Sequence, residues 1–132
     1  GLNLPYPKMI DVAVPANIKV GDDLEKYHAD QAKITTEAFH QFVQSKSAVI
    51  IDLREAFERA RDGDIPHAYH FPYSMLDQGL TPGHDFELFL KKHEQLNDTI
   101  ILVCNADERP ILAYHLLTQI GYKHISWYST AA

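Results

Sequence analysis

The chain has 132 residues, 45% of them hydrophobic and 23% charged, which suits one globular domain around a single core and excludes the low hydrophobicity of a disordered chain. Acidic residues outnumber basic ones eighteen to twelve, for a formal charge of -6, so neither nucleic acid nor an anionic membrane surface is an expected partner. One cysteine excludes an internal disulfide, and no apolar run is long enough to span a membrane, so a soluble protein with a free thiol is expected.

The sequence starts at Gly1 and not at a methionine, as expected of a chain that was processed or cut from a longer one. Residues 1–33 hold turn formers (Pro5, Pro7, Pro15, Gly21) around short apolar runs and read as an amino-terminal arm with one edge strand. Residues 34–132 read as the domain proper. Thr35 is placed to cap a helix, with Ile34 and Phe39 as its hydrophobic staple and Ala38, Phe39, Phe42 and Val43 on one face. Ala48-Val49-Ile50-Ile51 is an unbroken apolar run suited to a strand covered on both faces, ending at Asp52-Leu53-Arg54. Residues 55–61 suggest a short helix closed by Asp62-Gly63, and residues 65–72 leave room for only a brief strand between prolines.

Asp85 is expected to cap a helix carrying Phe86, Phe89, Leu90 and Leu96. Residues 99–103 form the second buried-type strand, with Cys104 at its carboxyl end. Pro110 is predicted to open the next helix, with Ile111, Leu112, Leu116, Leu117 and Ile120 as its apolar positions and Gly121 as its stop. Residues 124–128 make a last short strand. Helices and buried strands alternate, so the expected architecture is α/β, with an open, mainly parallel central sheet and helices on both faces. Ligands in such sheets bind beyond the carboxyl ends of the strands, where Asp52 and Cys104 both fall.

Cys104 after a strand, Arg109 five residues later and a helix start beyond it make a loop whose amides can converge on the sulfur. The helix terminus and the guanidinium both favour a thiolate, the form that attacks sulfur, phosphorus or disulfides. The plainer alternative is a small buried hydrophobe at a strand end. Asp52 could be a catalytic acid or could simply bond loop amides or Arg54. Arg109 could bind an anionic substrate or could hold Asp107, Glu108 or a carbonyl. His67 and His70, on an extended segment, point to opposite faces and make no metal site.

The order of strand, Cys104-Asn105-Ala106-Asp107-Glu108-Arg109 and helix resembles the active-site loop of rhodanese-like domains. Val49-Ile50-Ile51-Asp52-Leu53-Arg54-Glu55 is similar to that family's opening strand motif. Gly63-Asp64-Ile65-Pro66-His67-Ala68 resembles its Gly-His-Ile-Pro-Gly-Ala signature, with Asp64 and His67 as departures, and Gly121-Tyr122-Lys123-His124-Ile125 resembles the stretch before its last strand. The resemblance covers residues 34–128. It implies a sulfurtransferase in which Cys104 carries a persulfide and residues 105–109 cradle the anionic sulfur, while Asp52 and Arg54 stay candidates for a supporting role outside that loop.

The same resemblance implies that no metal or organic cofactor is needed and that the partners are a small sulfur donor or a protein persulfide, with a thiol or cyanide as acceptor. Trp127-Tyr128 resembles a pair found in exported members, which leans toward an exported or periplasmic location. The family's usual glycine pair and terminal helix do not appear before Ala132, so cover for that part of the sheet is expected from the arm or is missing. The family's active loops carry glycine and few acids, whereas this loop has Asp107 and Glu108. A carboxylate ~7 Å from the sulfur would disfavour the thiolate by roughly 0.6 to 2 kcal/mol. The acids therefore point to a persulfide donor over a dianion such as thiosulfate. They also support a different class of function, a non-catalytic module that binds a basic partner. A cysteine phosphatase is a third reading, although the common phosphatase loop is one residue longer.

Overall fold

The computed structural model describes residues 28–106 and 108–130. The chain divides into two units, Gly1–Gln31 and Ala32–Ala132. Of the first, only residues 28–31 are described, and they are helical. Most of the arm and edge strand expected over residues 1–33 thus lies outside the described residues.

In the second unit the elements run α1 (Thr36–Ser45), β1 (Val49–Asp52), α2 (Ala56–Asp62), β2 (Tyr69–His70), a 3-10 turn (Tyr73–Met75), α3 (Leu76–Gly79), α4 (Asp85–Gln95), β3 (Ile100–Cys104), α5 (Glu108–Ile120) and β4 (Ile125–Ser129). The described strands form one sheet in the order β2-β1-β3-β4, every pair parallel. Parallel neighbours need crossovers, and the helices between the strands supply them. Strand alternation divides the core in two. Ile51, Leu53, Ile100, Leu102 and Trp127 pack on one face with Phe86 and Leu90 of α4 and Ala113 and Leu117 of α5. Ile50, Ile101, Val103 and Tyr128 pack on the other with Phe39 of α1. The open α/β sheet covered on both faces is therefore the fold of the protein.

The start of α1 follows the sequence closely. Thr35 is extended (φ -78, ψ 163) and its hydroxyl accepts from the Ala38 amide. Ile34 and Phe39 join the same core cluster. At the end of α5, Gly121 has φ +125, which lets the Tyr122 amide turn back to the Leu117 carbonyl at 3.1 Å and close the helix. β4 is extended at its outer edge by a parallel bridge between Lys33 and Trp127.

Several local expectations are corrected. His84, and not Asp85, caps α4, its Nδ1 accepting from the Phe86 amide. Asp85 instead occupies the first turn, where a carboxylate meets the positive end of the helix dipole. Leu96 is the exposed C-cap of that helix. α5 begins at Glu108, two residues before Pro110, and buries Pro110, Ala113 and Leu117 while Leu112 and Ile120 are exposed. Positions 110, 113 and 117, spaced i, i+3 and i+7, share the buried face of the helix. His67 has φ 64, so the segment carrying it turns there and does not run extended past His70. A side chain in this left-handed region costs roughly 1 kcal/mol relative to glycine, the residue the resembling motif has there.

Candidate active site at the carboxyl edge of the sheet

Two charged constellations sit where β1 and β3 leave the sheet. Asp52 closes β1 and is fully buried. Its carboxylate accepts from the Arg54 amide at 3.0 Å, from Arg54 Nε at 3.0 and 3.2 Å, and from Arg54 Nη2 at 2.9 Å. Arg54 Nη2 also donates to the Gly63 carbonyl at 2.8 Å. The hydrogen bond that Arg54 donates to Asp52 holds the Arg54 pKa above its ordinary value against the opposing effect of burial. On β2, the register partner of Asp52 is His70, whose Nδ1 lies 3.3 Å from Asp52 Oδ2. The alignment is too poor for a hydrogen bond, and this buried nitrogen has no hydrogen-bond partner among the described residues.

Cys104 is the last residue of β3 and is fully buried. Its neighbour in register is Ser129, and its carbonyl accepts from the Thr130 amide at 2.8 Å. Asp52 pairs with Val103, so alternation assigns Asp52 to the α1 face and Cys104, one residue further on, to the α5 face. Adjacent strand ends thus send the two groups to different sides. The charge of Arg109 favours the thiolate, and the nearby backbone N–H groups of Asn105 and Ala106 act in the same direction. Burial nevertheless pushes the Cys104 thiol above its ordinary pKa, and the Glu58 carboxylate adds to that shift. Desolvation of the charged sulfur thus works against the donors around it.

Arg109 lies in the first turn of α5 and not in a loop. Its Nη1 and Nη2 donate to Glu58 Oε1 and Oε2, each at 2.8 Å, and Nη2 also donates to Asn105 Oδ1. Glu58 is 5% exposed. Arg109, followed by the Glu55 amide and the Asn105 side chain, holds its carboxyl down at about 2. Glu58 Oε1 accepts from the Glu55 amide at 2.8 Å within the capping box of α2, and Glu55 in turn accepts from the amide and hydroxyl of Ser74. The partner of Arg109 is accordingly Glu58, a residue not singled out in the sequence. Glu108 is exposed, and Asp107 lies outside the described residues. Between Gly63, Asp64 and Ile65 on one side and Asn105 and Thr130 on the other opens a cleft of about 470 Å³, with Arg54 at its border. Cys104 itself does not line it.

Among the described residues no group of three or more His, Cys, Asp or Glu side chains is gathered closely enough to hold a metal ion, and no helix is long and apolar enough to cross a membrane. The arrangement places a single buried thiol beside an arginine and two amides that favour an anion on the sulfur.

The family model for the rhodanese-like domain matches residues 35–131. A Schizosaccharomyces pombe protein named "Putative thiosulfate sulfurtransferase, mitochondrial" is 30% identical over 88 residues, 64% of this chain and 60% of that protein. The chain thus matches about three fifths of that relative's length. Among solved structures, a Rhodopseudomonas palustris protein of unknown function, described as a possible tyrosine phosphatase, superposes with a TM-score of 0.59 at 22% identity, covering 89% of each chain. A human single-domain sulfurtransferase does so with a TM-score of 0.57 at 22% identity, covering 76% of this chain and 91% of that one. A rhodanese-related protein of Thermoplasma volcanium gives 0.56 at 21%, covering 74% and 82%. At these identities the structural likenesses establish the fold alone.

Proposed function

The chain belongs to the rhodanese-like domain family, and from that premise we propose that it is a sulfurtransferase whose sulfur carrier is Cys104. The observation that carries the reading is the placement of Cys104 at the end of a central strand, beside Arg109 and with the Asn105 and Ala106 amides both favouring its thiolate. Those two donors suit a terminal persulfide anion, which extends one atom beyond the thiol. In the first half-reaction Cys104 loses its proton, to solvent or to the departing group. The thiolate then attacks the outer sulfur of a donor persulfide, and the donor's inner sulfur leaves as a thiolate. In the second, an acceptor thiolate or cyanide attacks the outer sulfur of the Cys104 persulfide and releases Cys104 as thiolate. No electrons are gained or lost overall, and no metal or organic cofactor takes part. Family membership and the likeness to a protein named as a thiosulfate sulfurtransferase support the reaction class. The identity of the donor rests on the charge of the site.

Replacement of Cys104 by serine tests the assignment. The expected result is loss of transfer from every donor with an unchanged unfolding transition, because a hydroxyl forms no persulfide and the sequence has no other cysteine. Turnover of the variant at the parent rate would refute it.

A second reading is a rhodanese-like module that binds a partner without transferring sulfur, and one observation favours it. Cys104 is fully buried and its thiol is shifted toward the neutral form, so at neutral pH the nucleophile is scarce. A tyrosine phosphatase activity is disfavoured by the engagement of Arg109 with Glu58, which leaves less guanidinium charge for a phosphate dianion.

A further inference from the structure

Both terminal nitrogens of the only arginine in the Cys104 loop and helix start are taken by one carboxylate from another helix, fifty-one residues away in sequence. That carboxylate does not move freely. Glu58 Oε1 also accepts from the Glu55 amide, Glu55 is tied to Ser74, and Arg109 Nη2 also donates to Asn105 Oδ1. The charged groups acting on Cys104 are Arg109 and Glu58, and those raising Arg109 are Glu58, Cys104 itself and, more weakly, Glu55. The Arg109 side chain is 24% exposed and that of Glu58 only 6%, so the pair is partly shielded from screening by salt.

We propose that Glu58 is the positioning and specificity residue of this site. By holding both terminal nitrogens of Arg109 it withholds that charge from an incoming anion, and so selects a donor with at most one negative charge at the reacting end, a persulfide, over a dianion such as thiosulfate. This rests on the persulfide-carrier reading and names the substrate class for it. An approaching dianion would have to displace a buried, two-bonded carboxylate from Arg109, whereas a persulfide needs only the two amides beside Cys104.

The test uses the whole chain and reads Cys104 directly. Alkylation by the uncharged reagent iodoacetamide is followed against pH, with and without sulfate as an unreactive dianion, beside KM and kcat for thiosulfate and for a low-molecular-weight persulfide. Glu58→Gln keeps the shape and the Glu55 contact but removes the charge. Its alkylation profile is expected to move to lower pH by roughly one unit, sulfate protection to tighten about tenfold, and KM for thiosulfate to fall while the persulfide KM changes less than twofold. Glu58→Asp, which restores the charge, is expected to return these readouts toward the parent.

A folded Glu58→Gln protein with unchanged pH profile and sulfate protection overturns the proposal. If that variant does not fold, Arg109→Gln decides. Because the parent already withholds the charge, sulfate protection is expected to change less than twofold, and a tenfold loss would show Arg109 open to anions in the parent. The alkylation readouts require no sulfur transfer, so a failure of the carrier reading with every donor is distinguishable from a failure of the Glu58 assignment.

Discussion

The ends of β1 and β3 each carry an arginine clamped by a carboxylate, yet the two pairs do different work. Asp52 and Arg54 lie two residues apart on one strand exit, are 0% and 3% exposed, and bond the chain's own backbone at Arg54 N and Gly63 O. That pair is a closed structural fastening. Glu58 and Arg109 come from α2 and α5, join elements 51 residues apart, and have Asn105 and the sulfur of Cys104 as neighbours. The same bidentate chemistry therefore fixes a turn at one strand end and sets the charge beside the Cys104 sulfur at the other. Motif residues that look equivalent in a sequence are separated by what each faces, and alternation along parallel strands assigns Asp52 and Cys104 to opposite sides.

Breaking the first pair should have the largest effect on stability. Asp52→Ala leaves the Arg54 guanidinium buried without its carboxylate, a loss of about 3 to 5 kcal/mol, and equilibrium urea unfolding should show it. A loss under 1 kcal/mol would mean that the β1 exit is not the closed fastening described.

The second pair should reveal itself in acid. Glu58 is held at about 2, below the usual carboxylate range, so its contribution is present above roughly pH 4.5 and is lost as pH falls toward 2. Parent and Glu58→Gln should differ by about 2 kcal/mol at pH 6, after allowance for the 24% of Arg109 open to solvent, and should converge near pH 2. A difference that is flat across that range would remove the electrostatic account. The smallest effect is expected from Glu108→Gln. Glu108 is exposed, so the Cys104 alkylation profile should move by less than about 0.3 pH units. A shift as large as that of Glu58→Gln would return the governing charge to the loop.

Much of this was legible in the sequence because it depends on local rules. The β-branched run before Asp52 and residues 100–103 could be read as covered strands, Thr35 as a cap and Gly121 as a stop, since each needs only near neighbours. Glu58 could not be read that way. Within α2 it is an ordinary first-turn acid of a capping box, and its meaning comes from a partner on α5 that only the parallel crossover brings near. Pro110 suggested a helix start at itself, but a proline fits anywhere in the first turn, where amides lack helical partners, so α5 could begin at Glu108 and draw Arg109 into the helix. The burial of the sulfur was likewise a tertiary outcome. The loop donors were visible in the sequence, while the desolvation that outweighs them depends on packing between β3, β4 and α5.

The central claim is that Cys104 carries sulfur, and the intact mass of the protein tests it most directly. Freshly purified protein, and protein loaded in turn with thiosulfate, a low-molecular-weight persulfide and a protein persulfide, should be compared with Cys104→Ser. The account predicts a species one sulfur atom heavier, located by fragmentation at Cys104, removed by cyanide or a reductant, formed more readily from the persulfides than from thiosulfate, and absent from the variant. Folded parent protein that acquires no added sulfur from any of the three donors would contradict it.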